Sequence, residues 1–222
     1  MAETPAAPPS ALAAATEEAG FYHESALNAT WTGSRLAIGG LAFLFGAFLF
    51  SYFYLRSLNS AGRWLGSGYH PPSIIEGTFI MMLVLTSSAV HYAGLQRLKA
   101  GDKRTWQVLG ITALVLGLGA VTLQIIELLF LPFWPGSSGF SSVFVGFYAA
   151  FAVILLAGLV WLETLLARSR FIPTISFVEQ PPTYREAFAL QRFQANLSSF
   201  NLNWAFLAAM AVLFWILFYV IP

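Results

Sequence analysis

Residues 36–55 read LAIGGLAFLFGAFLFSYFYL, twenty positions without a charge. At about 1.5 Å per residue such a helix is about 30 Å long, the thickness of the hydrocarbon layer of a bilayer. The run is apolar on every face, whereas a transmembrane strand would alternate polarity over about ten residues. It is therefore read as a membrane-spanning helix. Four more runs of this kind follow, at about 74–95, 106–131, 143–166 and 204–221. The second is interrupted by Glu76, by Thr86, Ser87 and Ser88, and by His91. The fold class expected is an all-α polytopic bundle of five transmembrane helices.

Composition agrees. Of the 222 residues 58% are apolar and 9% charged, with a mean hydropathy of +0.70. Soluble domains carry about 25% charged residues, so a water-soluble reading is excluded. A net charge of +1 offers no basic face for nucleic acid. The absence of cysteine removes disulfides, thiolate zinc sites, iron–sulfur clusters and dithiol copper centres.

The connections set the organisation. Residues 1–30 are rich in Ala, Pro and Glu and are expected to form a disordered or surface-lying tail, with no signal peptide. The membrane domain then covers 31–222. Pro71-Pro72 marks a helix start, and Pro132, Pro135, Gly136 and Gly139 make a short uncharged turn that leaves the third and fourth spans as neighbours. Residues 167–203 form the one long internal connection. In it Phe193, Leu197 and Phe200 recur at i, i+4, i+7, as in an interfacial helix or one covering the inner face of the bundle.

Basic residues fix the orientation. Arg35, Arg97, Lys99, Lys103, Arg104, Arg168, Arg170, Arg185 and Arg192 fall on one side of a five-span chain, leaving Arg56 and Arg63 opposite. The expectation is N-terminus inside and C-terminus outside.

Ionisable groups within spans are costly, and each is a functional candidate until its partner is found. Gln124 and Glu127 lie at i, i+3 on one face of the third span. A hydrogen bond between helices is favoured over proton transfer, because one carboxylate without a relay conducts nothing. Glu76 and His91 are 15 positions apart, about 22 Å along a helix, and do not pair. His23 is in the tail and His70 in a loop, so His91 alone is placed in a span, too few for bis-histidine haem or for copper. No nucleophile constellation and no phosphate-binding glycine loop is present. Catalytic, cofactor-binding and metal residues are therefore expected to be absent from this chain. Small-xxx-small pairs at Ala42/Gly46, Ala113/Gly117, Gly146/Ala150 and Ala205/Ala209 permit close helix approach. Most of the 21 phenylalanines are read as lipid-facing.

From about residue 31 onward the order of features resembles the heme-copper oxidase subunit III family in its five-span form. The resemblance is carried by Pro71-Pro72 and Glu76 ahead of LVLTSSAVHYAGLQRLKAGDKR (83–104), by LGLGAVTLQIIELL (116–129) with its Leu-Gln-x-x-Glu pattern, by Gly158-Leu159 in the fourth span, and by Trp204 and Phe206 in NWAFLAAMAVLFWILFYVIP (203–222). Phe151 and Ile154 stand where the family has His-x-x-His, Ala205 and Ala208 where it has His and then Asp, and no glutamate lies near Ala42.

What the resemblance implies is a non-catalytic accessory subunit of a respiratory terminal oxidase in a prokaryotic inner membrane. Such a subunit flanks catalytic subunit I and further oxidase subunits and holds phospholipid. Haem and copper would belong to the partner subunits and not to this chain. Glu76, Ser87, Ser88, His91, Gln124, Glu127 and Trp204 become candidates for inter-helix or lipid contacts. A companion of a quinol oxidase or nitric oxide reductase would read similarly. From another class, a small transporter should show related halves and broken helices, which this sequence lacks, and an assembly scaffold stays open.

Overall fold

A computed structural model describes residues 11–59, 63–66, 68, 70–171 and 184–222. Five helices account for almost all of them: α1 Ala11–Leu58, α2 Ile74–Lys99, α3 Lys103–Leu129, α4 Gly139–Ser169 and α5 Tyr184–Trp215. A short π-helical turn, Ile216–Val220, extends α5. All five are long and apolar enough to cross a membrane, and the described residues contain no strand. The protein is an all-α polytopic membrane bundle.

The helices pack as a ring in the order α1, α5, α2, α3, α4 and back to α1, with α4 also touching α5 across the middle. Short turns dictate two of these five neighbour pairs, α2–α3 and α3–α4. Gly101, at φ +97°, reverses the chain between α2 and α3 in three residues, a conformation a Cβ would disfavour. Asp102 then caps α3, its carboxylate accepting from Thr105 N–H at 2.9 Å. Gly136, at φ +92°, turns the α3–α4 connection. The Ser138–Ser141 capping box starts α4, the two hydroxyls accepting reciprocally from backbone N–H at 3.0 and 2.8 Å.

Closure of the ring depends on α1 and α5, which lie far apart in sequence and run parallel. Ser34 Oγ donates to Ser199 O, Tyr52 OH to Leu217 O and Arg56 Nη1 to Ile221 O, and each pair is separated by 165 residues. The register is thus constant along both helices. Between α1, α4 and α5 lies an aromatic core. Phe147 stacks on Phe214 at 3.8 Å and on Phe151 at 5.3 Å, while Phe45, Phe140, Phe144 and Phe218 close around them, all buried.

Three readings of the sequence are corrected. Residues 11–30, assigned to a disordered or surface-lying tail, are the first part of α1. The reason is composition: ALAAATEEA is built from strong helix formers, and the prolines stop at Pro9. With 48 residues, α1 is about 72 Å long, well beyond a bilayer of about 45 Å. Second, residues 184–203 of the supposed internal loop belong to α5, continuous with the last span. Phe193, Leu197 and Phe200 are buried against the bundle, Phe193 edge-on to Trp106 and Phe200 edge-on to His91 and Trp161. Their i, i+4, i+7 spacing is a core stripe rather than a membrane-surface face. Residues 172–183 of that segment lie outside the described residues, as do residues 1–10 of the tail. Third, the phenylalanines are not mostly lipid-facing: those on α4 and α5 largely fill the core, whereas exposed ones such as Phe43, Phe50, Phe79 and Phe130 belong to α1, α2 and the turn after α3.

Candidate functional site

The polar candidates separate into two groups at different depths. One surrounds Trp204, where α2, α3, α4 and α5 meet. Ser87, fully buried on α2, donates to Ala113 O of α3 at 2.7 Å and accepts from Trp204 Nε1 of α5 at 3.2 Å. Both capacities of the hydroxyl are used, so neither the indole N–H nor the helix carbonyl wastes a partner in apolar surroundings. The indole needs space on α4 and α3, and glycine supplies it. A Cβ built at Gly158 would lie 2.6 Å from Trp204 Cζ3, and one at Gly117 3.4 Å from Trp204 Cζ2. Phe200 stacks on the indole from one turn earlier at 5.4 Å.

His91 is one turn below Ser87 on the same face of α2. It is buried, edge-on to the Phe200 ring at 4.8 Å, and neither ring nitrogen has a hydrogen-bond partner. Ser88 points to the adjacent face and is half-buried.

The second group lies toward the opposite end of the bundle from the basic α2–α3 turn. Gln124 Nε2 donates to Tyr148 O of α4 at 3.2 Å, and Tyr219 OH, from the π-helical turn, donates to Glu127 Oε1 at 2.8 Å. Tyr148 OH is hydrogen-bonded to Tyr219 OH. With Tyr219 donating to the carboxylate, Tyr148 is left as donor to Tyr219, giving a chain Tyr148 to Tyr219 to Glu127 across three helical elements. The π-turn assembles this. Ile221 N–H bonds to Ile216 O, five residues back, and the widened turn buries Leu217, Phe218 and Tyr219 in succession. Gly77 of α2 lies directly against the Tyr219 ring and could not carry a side chain there without displacing it.

Glu76 is exposed one residue before Gly77 and shares a cavity of about 690 Å³ with Glu127. Glu76 and Glu127, one exposed and one buried, thus come together, whereas Glu76 and His91 stay apart as the spacing required.

Sequence reasoning missed Tyr148 and Tyr219. A tyrosine in an aromatic-rich span gives no signal of its own, and only the helix arrangement brings these two to Glu127. Gly158 was recognised through the resemblance, but its physical role, a seat for Trp204, is visible only in three dimensions. Of the small-residue pairs, Ala113/Gly117 lies at a tight crossing, whereas a Cβ on Gly46 would meet nothing within 4 Å.

Among the described residues no group of three or more His, Asp or Glu side chains is arranged to hold a metal ion. The class that fold and site define is a polytopic helical membrane protein whose polar span residues tie helices together. Neither protein-family models nor curated proteins give a match to this chain.

Proposed function

We propose that this chain is a non-catalytic accessory subunit of a respiratory heme-copper terminal oxidase, in which it stabilises the catalytic subunit and holds lipid. One observation supports the reading above others: five of the positions within the resembling stretches, Ser87, Gln124, Glu127, Gly158 and Trp204, join the helices. Ser87, Gly158 and Trp204 form one crossing, and Gln124 and Glu127 form the other, through Tyr148 and Tyr219. Residues used in this way fix a scaffold. A rigid bundle with broad exposed apolar helices, α1 above all, suits a subunit that lies against a larger partner in the membrane.

In this role the chain contributes no reacting group. Haem and copper, which carry the electron transfer and oxygen chemistry in this family, would belong to the catalytic partner. The work of this chain is to hold its own surface in one shape, through hydrogen bonds that no lipid can replace in the hydrocarbon layer.

The test is purification of the tagged full-length chain from its native membrane in mild detergent, followed by a reduced-minus-oxidised spectrum. Haem bands in a stoichiometric large partner are expected. A colourless preparation without a partner would overturn the proposal and favour a transporter or scaffold. In the same complex, Glu127→Gln should lower retention of this subunit more than turnover per complex; intact retention with abolished turnover would argue for a direct catalytic part.

A further inference from the structure

The cavity of about 690 Å³ lies between the start of α2 and the end of α3, where Ser73 and Pro132 stand at the same end of the bundle. That end is opposite the basic turn of Arg97, Lys99, Lys103 and Arg104, so the cavity opens at the level of one headgroup layer.

Its lining is divided by chemistry. Ile75, Phe79, Ile126 and Phe130 form apolar walls and are exposed. Glu76 and Glu127 are its acids. Glu127 is only 7% exposed, and while Oε1 accepts from Tyr219, Oε2 is buried with no hydrogen-bond partner. A buried carboxylate with an unsatisfied oxygen is costly unless a donor of opposite charge reaches it. Among the described residues no Lys or Arg lines the cavity.

We propose that the cavity binds an amine-headed phospholipid of the phosphatidylethanolamine type, its ammonium between Glu76 and Glu127 and its acyl chains along the α2–α3 groove. The chemistry selects this occupant in three steps. Two carboxylates repel an anionic headgroup and attract a cation. A metal ion would need more ligands than the described residues arrange here, whereas an ammonium requires only acceptors and gives up to three charge-assisted hydrogen bonds. The apolar walls are exposed side chains on two helices long and apolar enough to span a membrane, and acids beside such walls favour an amphiphile over a free amine. A quaternary choline head has no N–H to offer Glu127 Oε2. The proposal extends the lipid-binding part of the reading above and needs no oxidase partner, so the two can fail separately.

The test uses the full-length chain, with any partner it retains, placed in nanodiscs of equal phosphatidylethanolamine, phosphatidylglycerol and phosphatidylcholine. Lipids that remain bound on release into mild detergent are counted by native mass spectrometry, and haem is scored separately on the same sample. Wild type should retain phosphatidylethanolamine above its bulk share. Glu76→Gln and Glu127→Gln should each return retention to the bulk ratio. Glu76 is exposed, so its substitution spares the fold, and in Glu127→Gln the side-chain amide oxygen still offers Tyr219 an acceptor. Equal retention of the three lipids by wild type would overturn the proposal, as would a phosphatidylethanolamine preference unchanged in both variants.

Discussion

Trp204 donates its indole N–H to Ser87 Oγ at 3.2 Å across 117 residues of sequence, and the same hydroxyl donates to Ala113 O at 2.7 Å. A single serine thus joins α2 to α3 and to α5. Ser87→Ala leaves a buried indole N–H without an acceptor. Hydrogen bonds between membrane helices are worth about 0.6 kcal/mol on average and up to about 1.7 kcal/mol, and this one should lie toward the upper end. Thermal unfolding in detergent, followed by tryptophan fluorescence, should show a lower midpoint for Ser87→Ala. The adjacent half-buried Ser88→Ala should change it less.

Gly158 faces the other side of the same indole. Gly158→Ala places a methyl group against the ring, at a position where backbone and Trp204 are both held, and should cost about 1–3 kcal/mol as overpacking. Gly46→Ala, with nothing within 4 Å of its Cβ, should stay within about 0.5 kcal/mol of wild type or stabilise slightly. Comparing the two unfolding midpoints separates a packing effect from the general gain in helix propensity. Equal shifts would contradict the seat assigned to Gly158.

Tyr52 and Arg56 hold the end of the chain. Tyr52 OH donates to Leu217 O at 2.9 Å, while Arg56 Nη1 donates to Ile221 O at 2.6 Å and to Tyr52 OH at 2.7 Å. Arg56→Leu should free the carbonyls at the end of the π-turn. Faster amide exchange confined to residues 216–221, with α2 and α3 unchanged, is the expected result. Because Tyr219 belongs to that turn, retention of the phospholipid proposed for the Glu127 cavity should fall as well.

Asp102 supplies a pH dependence. Hydrogen bonds from Thr105 hold its carboxyl below the usual aspartate range, assisted by the nearby Arg97 charge. A folded-state value below the unfolded one means that the capping contribution is present at neutral pH and is lost as pH falls through the lowered value. Amide exchange at the start of α3 should therefore rise only in strong acid. Asp102→Asn, which retains an acceptor oxygen, should flatten that acid dependence while leaving the helix start protected at neutral pH.

Much of this architecture is legible in the chain itself. Twenty uncharged residues from Leu36 to Leu55 specify a spanning helix wherever they fold, because hydrocarbon leaves a backbone no partner but its own. Pro71-Pro72 and the Gly-Pro turn after Leu131 mark helix ends for equally local reasons. The spacing of Gln124 and Glu127 puts them on one face, and the spacing of Glu76 and His91 keeps them apart. The reading fell short where one pattern serves two environments. The stripe Phe193, Leu197, Phe200 has the period of a surface helix and of a core helix alike, and the presence of α2, α3 and α4 beneath it decided for the core.

The sequence by itself thus determined five membrane helices, the ends of α2, α3 and α4 within a few residues, and the face of α3 that Gln124 and Glu127 share, since these follow from hydrophobicity and helical period. Only the tertiary structure decided which helices distant in the chain meet: that α1 lies against α5 at a constant separation of 165 residues, that Trp204 rests on Gly158, and that Tyr148 and Tyr219 converge on Glu127. Those contacts join residues tens to hundreds of positions apart, and the free energy that selects them comes from shape and from hydrogen bonds between helices, which no local stretch encodes.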